Sequence, residues 1–187
     1  MADLWPEFAI AVHRLHDDHH VEEVVALGVP RSAMFGNRPY LGIARIVVGD
    51  AFFDFAEDGE LAWIVPVGEP YPIAWEWLDD IVAFFPSDPS HWWLRRGSAE
   101  ILGLDQVEMA RWLGEPLILR RTPLDWLRAG MKGAVILDRN LDPRSTFYDI
   151  AEIRVADDSI GQAIEQRLAD LARPDFRIVP MEVPDGA

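Results

Sequence analysis

The stretch from Arg120 to Asp138 constrains the fold most, because with the apolar run just before it the chain reads as strand, helix, strand within little more than twenty residues. Leu117, Ile118 and Leu119 form a short apolar run after Pro116. Thr122 then offers a side-chain oxygen at a helix N-cap, and Pro123 suits the first helical position, where a missing N–H costs nothing. Leu124, Leu127 and Met131 recur at helical spacing and give that helix an apolar face. Gly130 and Gly133 are candidates for the left-handed residue that ends it. Ala134 to Leu137 is a continuous apolar run, the pattern of a strand covered on both faces. So short a unit cannot bury a core of its own, and the rest of the chain must supply one.

Upstream, residues 5 to 27 read as two helices. Trp5, Phe8, Val12 and Leu15 share one face, Asp17-Asp18 interrupts it, and Val21, Val24 and Val25 carry the second helix to Gly28. Residues 40 to 67 change period. Ile43–Val48, Phe52–Phe55 and Leu61–Val67, separated by turns at Gly49-Asp50 and Asp58-Gly59, predict an antiparallel meander. Prolines punctuate residues 66 to 90, and Asp80–Phe85 reads equally as buried strand or helix end. A short helix is predicted from Ser98. A second runs to Leu113, with Asp105 and Glu108 as a capping box and Leu104 and Met109 as its staple. Residues 138 to 145 read as loop and Ile150–Val155 as strand. Ser159 and Gln162 form another capping box before the stripe Ile160, Ile164, Leu168 and Leu171, and Phe176–Val179 is a last strand. The sum is an α+β fold: N-terminal helices, an antiparallel meander, then alternating strands and helices. One domain over residues 1–187 is expected, with a possible subdivision into 1–70 and 71–187.

Composition narrows the function. A formal net charge of −15 argues against nonspecific nucleic-acid binding, because phosphates repel such a surface. Mimicry of DNA by carboxylates would need clustered acids, and these are spread along the chain. With no cysteine, disulfides, thiolate metal sites and cysteine nucleophiles are excluded. The start, MADLWPEFA, lacks the basic and apolar regions of a signal peptide, and no apolar run approaches the roughly 18 residues of a membrane span. A cytoplasmic protein without membrane attachment is expected.

Several residue groups are candidate sites. His13, His16 and His20 would share one face of an unbroken helix and could bind a transition metal. Their spacing matches no zinc signature, Asp17-Asp18 breaks the helix, and a solvated face is the plainer reading, so no metal or other cofactor is expected. Ala26 to Ala33 resembles the turn of a helix-turn-helix, but Gly36, Asn37 and Pro39 leave no room for a recognition helix. Arg95-Arg96 and Arg120-Arg121 each precede a predicted helix start, the second at Thr122. Unpaired N–H groups and guanidinium forks together suit a phosphate or carboxylate. The plainer reading pairs these arginines with the chain's own acids. Strand alternation would send Arg120 and Arg121 to opposite faces if the strand reaches them. Trp75, Trp77, Trp92 and Trp93 form either core or a protein-contact surface. No G-x-S-x-G elbow occurs, and no catalytic residue stands out.

The runs DDIVAFFPSDPSHWWLRRGSAEILG and RRTPLDWLRAGMKGAVILD resemble stretches of uncharacterised proteins encoded near prophage or mobile-element genes in alphaproteobacteria. The resemblance covers roughly residues 79 to 138 and implies a bacterial cytoplasmic setting. It carries no functional residue over. Two functions follow from the sequence: a non-enzymatic interaction or accessory protein with an unidentified protein partner or a second copy of itself, or a small anionic-ligand-binding domain or enzyme.

Overall fold

In a computed structural model, residues 3–17, 20–35, 39–68, 78–138 and 140–171 are described, together with the backbone of 177–180. Two helices open the chain, α1 (Trp5–Asp17) and α2 (Val21–Ala26). Strands β1 (Gly42–Val48), β2 (Phe53–Phe55), β3 (Glu60–Gly68), β4 (Leu78–Phe85) and β5 (Asp88–Leu94) then form an antiparallel sheet in the order β2-β1-β3-β4-β5. The antiparallel sheet expected from the β-branched runs is thus present, with β1 rather than β2 lying beside β3. Asp80–Phe85 resolves to strand: β4 sits between β3 and β5 and is buried on both faces, which explains its unbroken apolar run.

The two faces of this sheet carry different residues. One presents Ala44, Ile46, Ala62, Ile64, Ile81 and Ala83 to Leu4, Phe8 and Ala11 of the N-terminal segment. The alanines let α1 approach closely. At Gly42 a Cβ would lie 2.6 Å from the Ala11 carbonyl carbon, so only glycine fits there. The opposite face carries Ile43, Trp63, Val65, Val82 and Phe84. At one end the edges of the sheet meet: Phe52 bridges Leu94, and the Leu94 N–H donates to the Ala51 carbonyl at 3.4 Å.

The second half alternates strand and helix: β6 (Ile101–Leu102), α3 (Leu104–Leu113), β7 (Leu117–Leu119), α4 (Pro123–Arg128), β8 (Val135–Ile136), α5 (Pro143–Thr146), β9 (Glu152–Val155), α6 (Asp158–Leu171) and β10 (Arg177–Pro180). Strands β10, β9 and β7 are parallel, and β6 pairs antiparallel with β8. A single parallel bridge, Leu119 to Ala134, ties the two small sheets together through Ala134 N–H to the Ile118 carbonyl (2.8 Å) and Arg120 N–H to the Ala134 carbonyl (2.7 Å). The strand-helix-strand unit is therefore real, but its strands share only that bridge.

Helix α4 joins the halves. Its Leu124, Trp126 and Leu127 pack into the core that also holds Trp63, Val65 and Phe84 of the first sheet. Leu117, Leu119, Ile153, Val155, Ile164 and Leu168 form the other core. Thr122 caps α4 by accepting from the Asp125 N–H at 3.1 Å, and Gly130 follows the helix with a φ of +66°. Gly133 serves a different purpose: its φ is +87°, and its carbonyl accepts the Trp126 indole N–H at 2.9 Å.

Four local expectations need correction. Residues 138 to 145 are not all loop: Pro143–Thr146 form α5 behind the cap of Asp142. No helix forms at Ser98, because the Asp80 carboxylate draws residues 96 to 99 into a turn instead. Gly103, with a φ of +82°, precedes α3, so Asp105 sits inside the first turn rather than capping it, and Met109 is exposed instead of forming a staple. The cap at the start of α6 is Asp157, whose Oδ1 accepts from the Ser159 N–H at 2.8 Å.

Candidate functional site

A cavity of about 370 Å³ opens where β5, the β7–α4 corner, the end of β8 and α6 come together. Trp92, Ile136, Leu141, Ile160 and Ile164 supply its apolar wall. Arg120, Arg121, Arg167, Asp138, Ser90 and Ser159 are the polar groups on it.

Both arginines of the 120–121 pair border this cavity. Strand β7 ends at Leu119, so strand alternation does not separate the two side chains. The Arg120 backbone completes the bridge to Ala134, and its Nε donates to the Lys132 carbonyl at 3.1 Å. Among the described residues no carboxylate forms an ion pair with Arg120. Burial lowers the pKa of its guanidinium from the ordinary arginine value, and the more distant Asp125 partly offsets this. Arg121 is more exposed and lies 3.5 Å from the Asp157 carboxylate. Hydrogen bonds from Ser159 hold Asp157 below the usual carboxylate range, with Arg121 a lesser cause.

Arg167 completes the set, and the sequence reading passed it over. Its Nη2 donates to the Asn140 carbonyl at 3.2 Å, while its Nε is buried without a hydrogen-bond partner. The signal was present in the helical period: positions 160, 163, 164 and 167 fall on one face of α6, and all four border the cavity. The polar set here is arginine, serine and one aspartate. Such groups can hold an anion by charge-assisted hydrogen bonds, and among the described lining residues no nucleophile is paired with a base.

The other predicted site residues lie elsewhere. Arg95 faces a separate cavity of about 310 Å³ together with Glu7 and Asp54. Its Nε donates to Glu7 at 3.0 Å and its Nη1 to Asp54 at 2.7 Å, so one guanidinium fastens α1 to the β2 edge. Both acids keep its pKa raised, Glu7 the more. Arg95→Ala is expected to cost about 1–2 kcal/mol of stability through the half-buried Glu7 pair and lost stem packing, as read by urea unfolding. A loss below about 0.5 kcal/mol would make the clamp irrelevant to stability.

Arg96 contributes its backbone N–H to Asp80 at 2.9 Å. Thr122 is buried, and its hydroxyl donates to Asp125 at 2.9 Å while accepting from the Asp125 N–H. The start of α4 is therefore closed by the protein's own carboxylate. Trp92 lines the arginine cavity, with its indole N–H 3.3 Å from the Leu137 carbonyl. Trp93 is half-buried and packs edge-on to Phe85. Trp75 and Trp77 lie outside the described residues. His13 pairs with Asp17 and His20 with Glu23. His16 contacts the Met34 carbonyl at 3.1 Å and stacks on Phe35. Among the described residues no group of three or more histidines or carboxylates is placed to hold a metal, and no helix is long and apolar enough to cross a membrane.

One further surface escaped the sequence reading. Helix α3 carries two apolar stripes: Val107 and Ala110 face the core, while Met109, Trp112 and Leu113 face outward, with Trp112 85% exposed. Comparison of the chain with family models, with curated proteins and with solved structures finds no match.

Proposed function

We propose that the protein is a non-enzymatic binding protein that holds a small anionic ligand in the cavity between β5, the β7–α4 corner and α6. The observation that carries this reading is the convergence of Arg120, Arg121 and Arg167 on one apolar-walled cavity in a chain of net charge −15. Chance would place the scarce cations beside acids, yet Arg120 has no carboxylate ion-pair partner among the described residues and Arg167 has a buried, unpartnered Nε. A bound anion would supply the acceptors that both groups lack. Thermal-shift measurement against small carboxylates, phosphates and their neutral analogues tests it. Stabilisation by anions but not by the neutral analogues is expected, and it should disappear in the Arg120→Ala/Arg167→Ala double variant. Equal stabilisation of that variant would refute the site.

A second reading, contact with a protein partner, is favoured by the outward stripe Met109, Trp112 and Leu113. Glu108 and Glu115 flank it, and Arg111 on the same helix is turned to Glu108 and to the Tyr148 ring. The surrounding charge therefore suits a basic partner surface with an apolar anchor and opposes a second copy of this acidic chain. A photo-crosslinker at position 112 should capture a basic surface, and affinity for the purified partner should fall at least about tenfold in Trp112→Ala. Capture of a second copy alone would redirect the reading to a homo-oligomer.

A further inference from the structure

Resting on the anion-binding reading, we infer that the ligand of the Arg120–Arg167 cavity is an aromatic carboxylic acid, with its carboxylate between Arg120 and Arg167 and its ring against Trp92. Three observations select this class.

Size and wall chemistry come first. At about 370 Å³ the cavity lies within the range of small-molecule sites and is several times larger than a bare anion. Its wall includes Trp92, Ile136, Leu141, Ile160 and Ile164, which an inorganic ion would leave hydrated. Covering that surface calls for an apolar body attached to the charge.

The nature of Trp92 comes second. Its indole N–H is already directed to the Leu137 carbonyl, so what remains toward the cavity is ring carbon. A planar ring gains offset or edge-on contact there beyond simple area burial, which an alkyl chain does not.

Charge balance comes third and separates a carboxylate from a phosphate ester. Arg121 is already partly neutralised by Asp157 at 3.5 Å. Asp138 stands in the wall itself. Three arginines set against Asp157 and Asp138 leave an unmet positive charge close to one unit, shared by Arg120 and Arg167. A monoanion balances it, whereas a dianion would face Asp138 in a chain that is strongly acidic already.

Titration calorimetry with four probes, 2-naphthoate, acetate, 2-naphthol and 2-naphthyl phosphate, tests the inference on the full chain. 2-Naphthoate should bind roughly 30-fold or more tightly than acetate and at least about tenfold more tightly than 2-naphthol and 2-naphthyl phosphate. Trp92→Leu, with folding checked by circular dichroism, should reduce the advantage of naphthoate over acetate. Arg120→Gln should instead reduce its advantage over naphthol. Equal binding of acetate and naphthoate would overturn the aromatic ligand while leaving anion binding intact. Tighter binding of the phosphate ester would overturn the carboxylate assignment alone. Equal binding of naphthol and naphthoate would overturn the anion reading itself, and no binding by any probe would overturn both.

Discussion

Asp80→Ala is expected to destabilise the protein by about 3–5 kcal/mol, a large share of the stability of an ordinary domain. Asp80 is fully buried, yet its carboxylate is surrounded by donors. Oδ1 accepts from the Ile81 N–H at 2.8 Å and the Arg96 N–H at 2.9 Å, and Oδ2 from the Ser98 N–H at 2.7 Å and the Ser98 hydroxyl at 3.2 Å. Removing the carboxylate strands backbone N–H groups, each costing about 1–3 kcal/mol if it stays dry. The turn they define also presents Arg95 to Glu7 and Asp54, so the fastening of α1 should loosen with it. Asp80→Asn keeps the volume and one acceptor oxygen, but its NH2 cannot accept the N–H groups that the other oxygen holds, so it should cost about 2–4 kcal/mol, no more than the alanine change. Urea unfolding followed by tryptophan fluorescence measures both. A change under about 1 kcal/mol for Asp80→Ala would mean that water replaces the carboxylate and that the turn holds itself.

The second large effect is on binding. Arg120→Ala should weaken a carboxylate ligand by about 10- to 100-fold, the cost of one charge-assisted hydrogen-bonded contact. Its effect on stability should be small, since among the described residues the Arg120 side chain makes one hydrogen bond, to the Lys132 carbonyl. Arg121→Ala should weaken binding less, because that side chain is more exposed and already faces Asp157. Arg95→Ala should leave affinity unchanged while lowering stability, as its guanidinium serves α1 and β2 on another side of the molecule. The pair of variants thus separates binding from folding. Calorimetry with 2-naphthoate at fixed salt provides the readout. If Arg95→Ala weakens binding as much as Arg120→Ala, the loss is structural and the cavity assignment fails.

The sequence alone determined whatever depends on near neighbours. Thr122-Pro123 marks the start of α4 because the cap and the proline act within one turn. Gly130 follows α4 because a left-handed residue is a local backbone requirement. The β-branched runs of β1 and β3 state strand directly, and so the α+β class was legible. The ambiguous run Asp80–Phe85 was not, because a strand covered on both faces has no alternation to read.

Tertiary structure decided the partners. Arg95 and Arg120 occupy equivalent local contexts, two arginines ahead of an expected helix start, yet one pairs with Glu7 from 88 residues earlier and the other has no carboxylate ion pair among the described residues. Nothing within a few residues of either distinguishes them. The buried carboxylate of Asp80 reaches residues 16 to 19 positions away and converts an expected helix into a turn. Arg167 reads locally as one more charge on a surface helix, and borders the cavity because α6 lies across the β7–α4 corner. Helical period, caps and turns are set by interactions along the chain. Which charges meet, and which are left without a partner, is set by contacts between segments that the chain order does not encode.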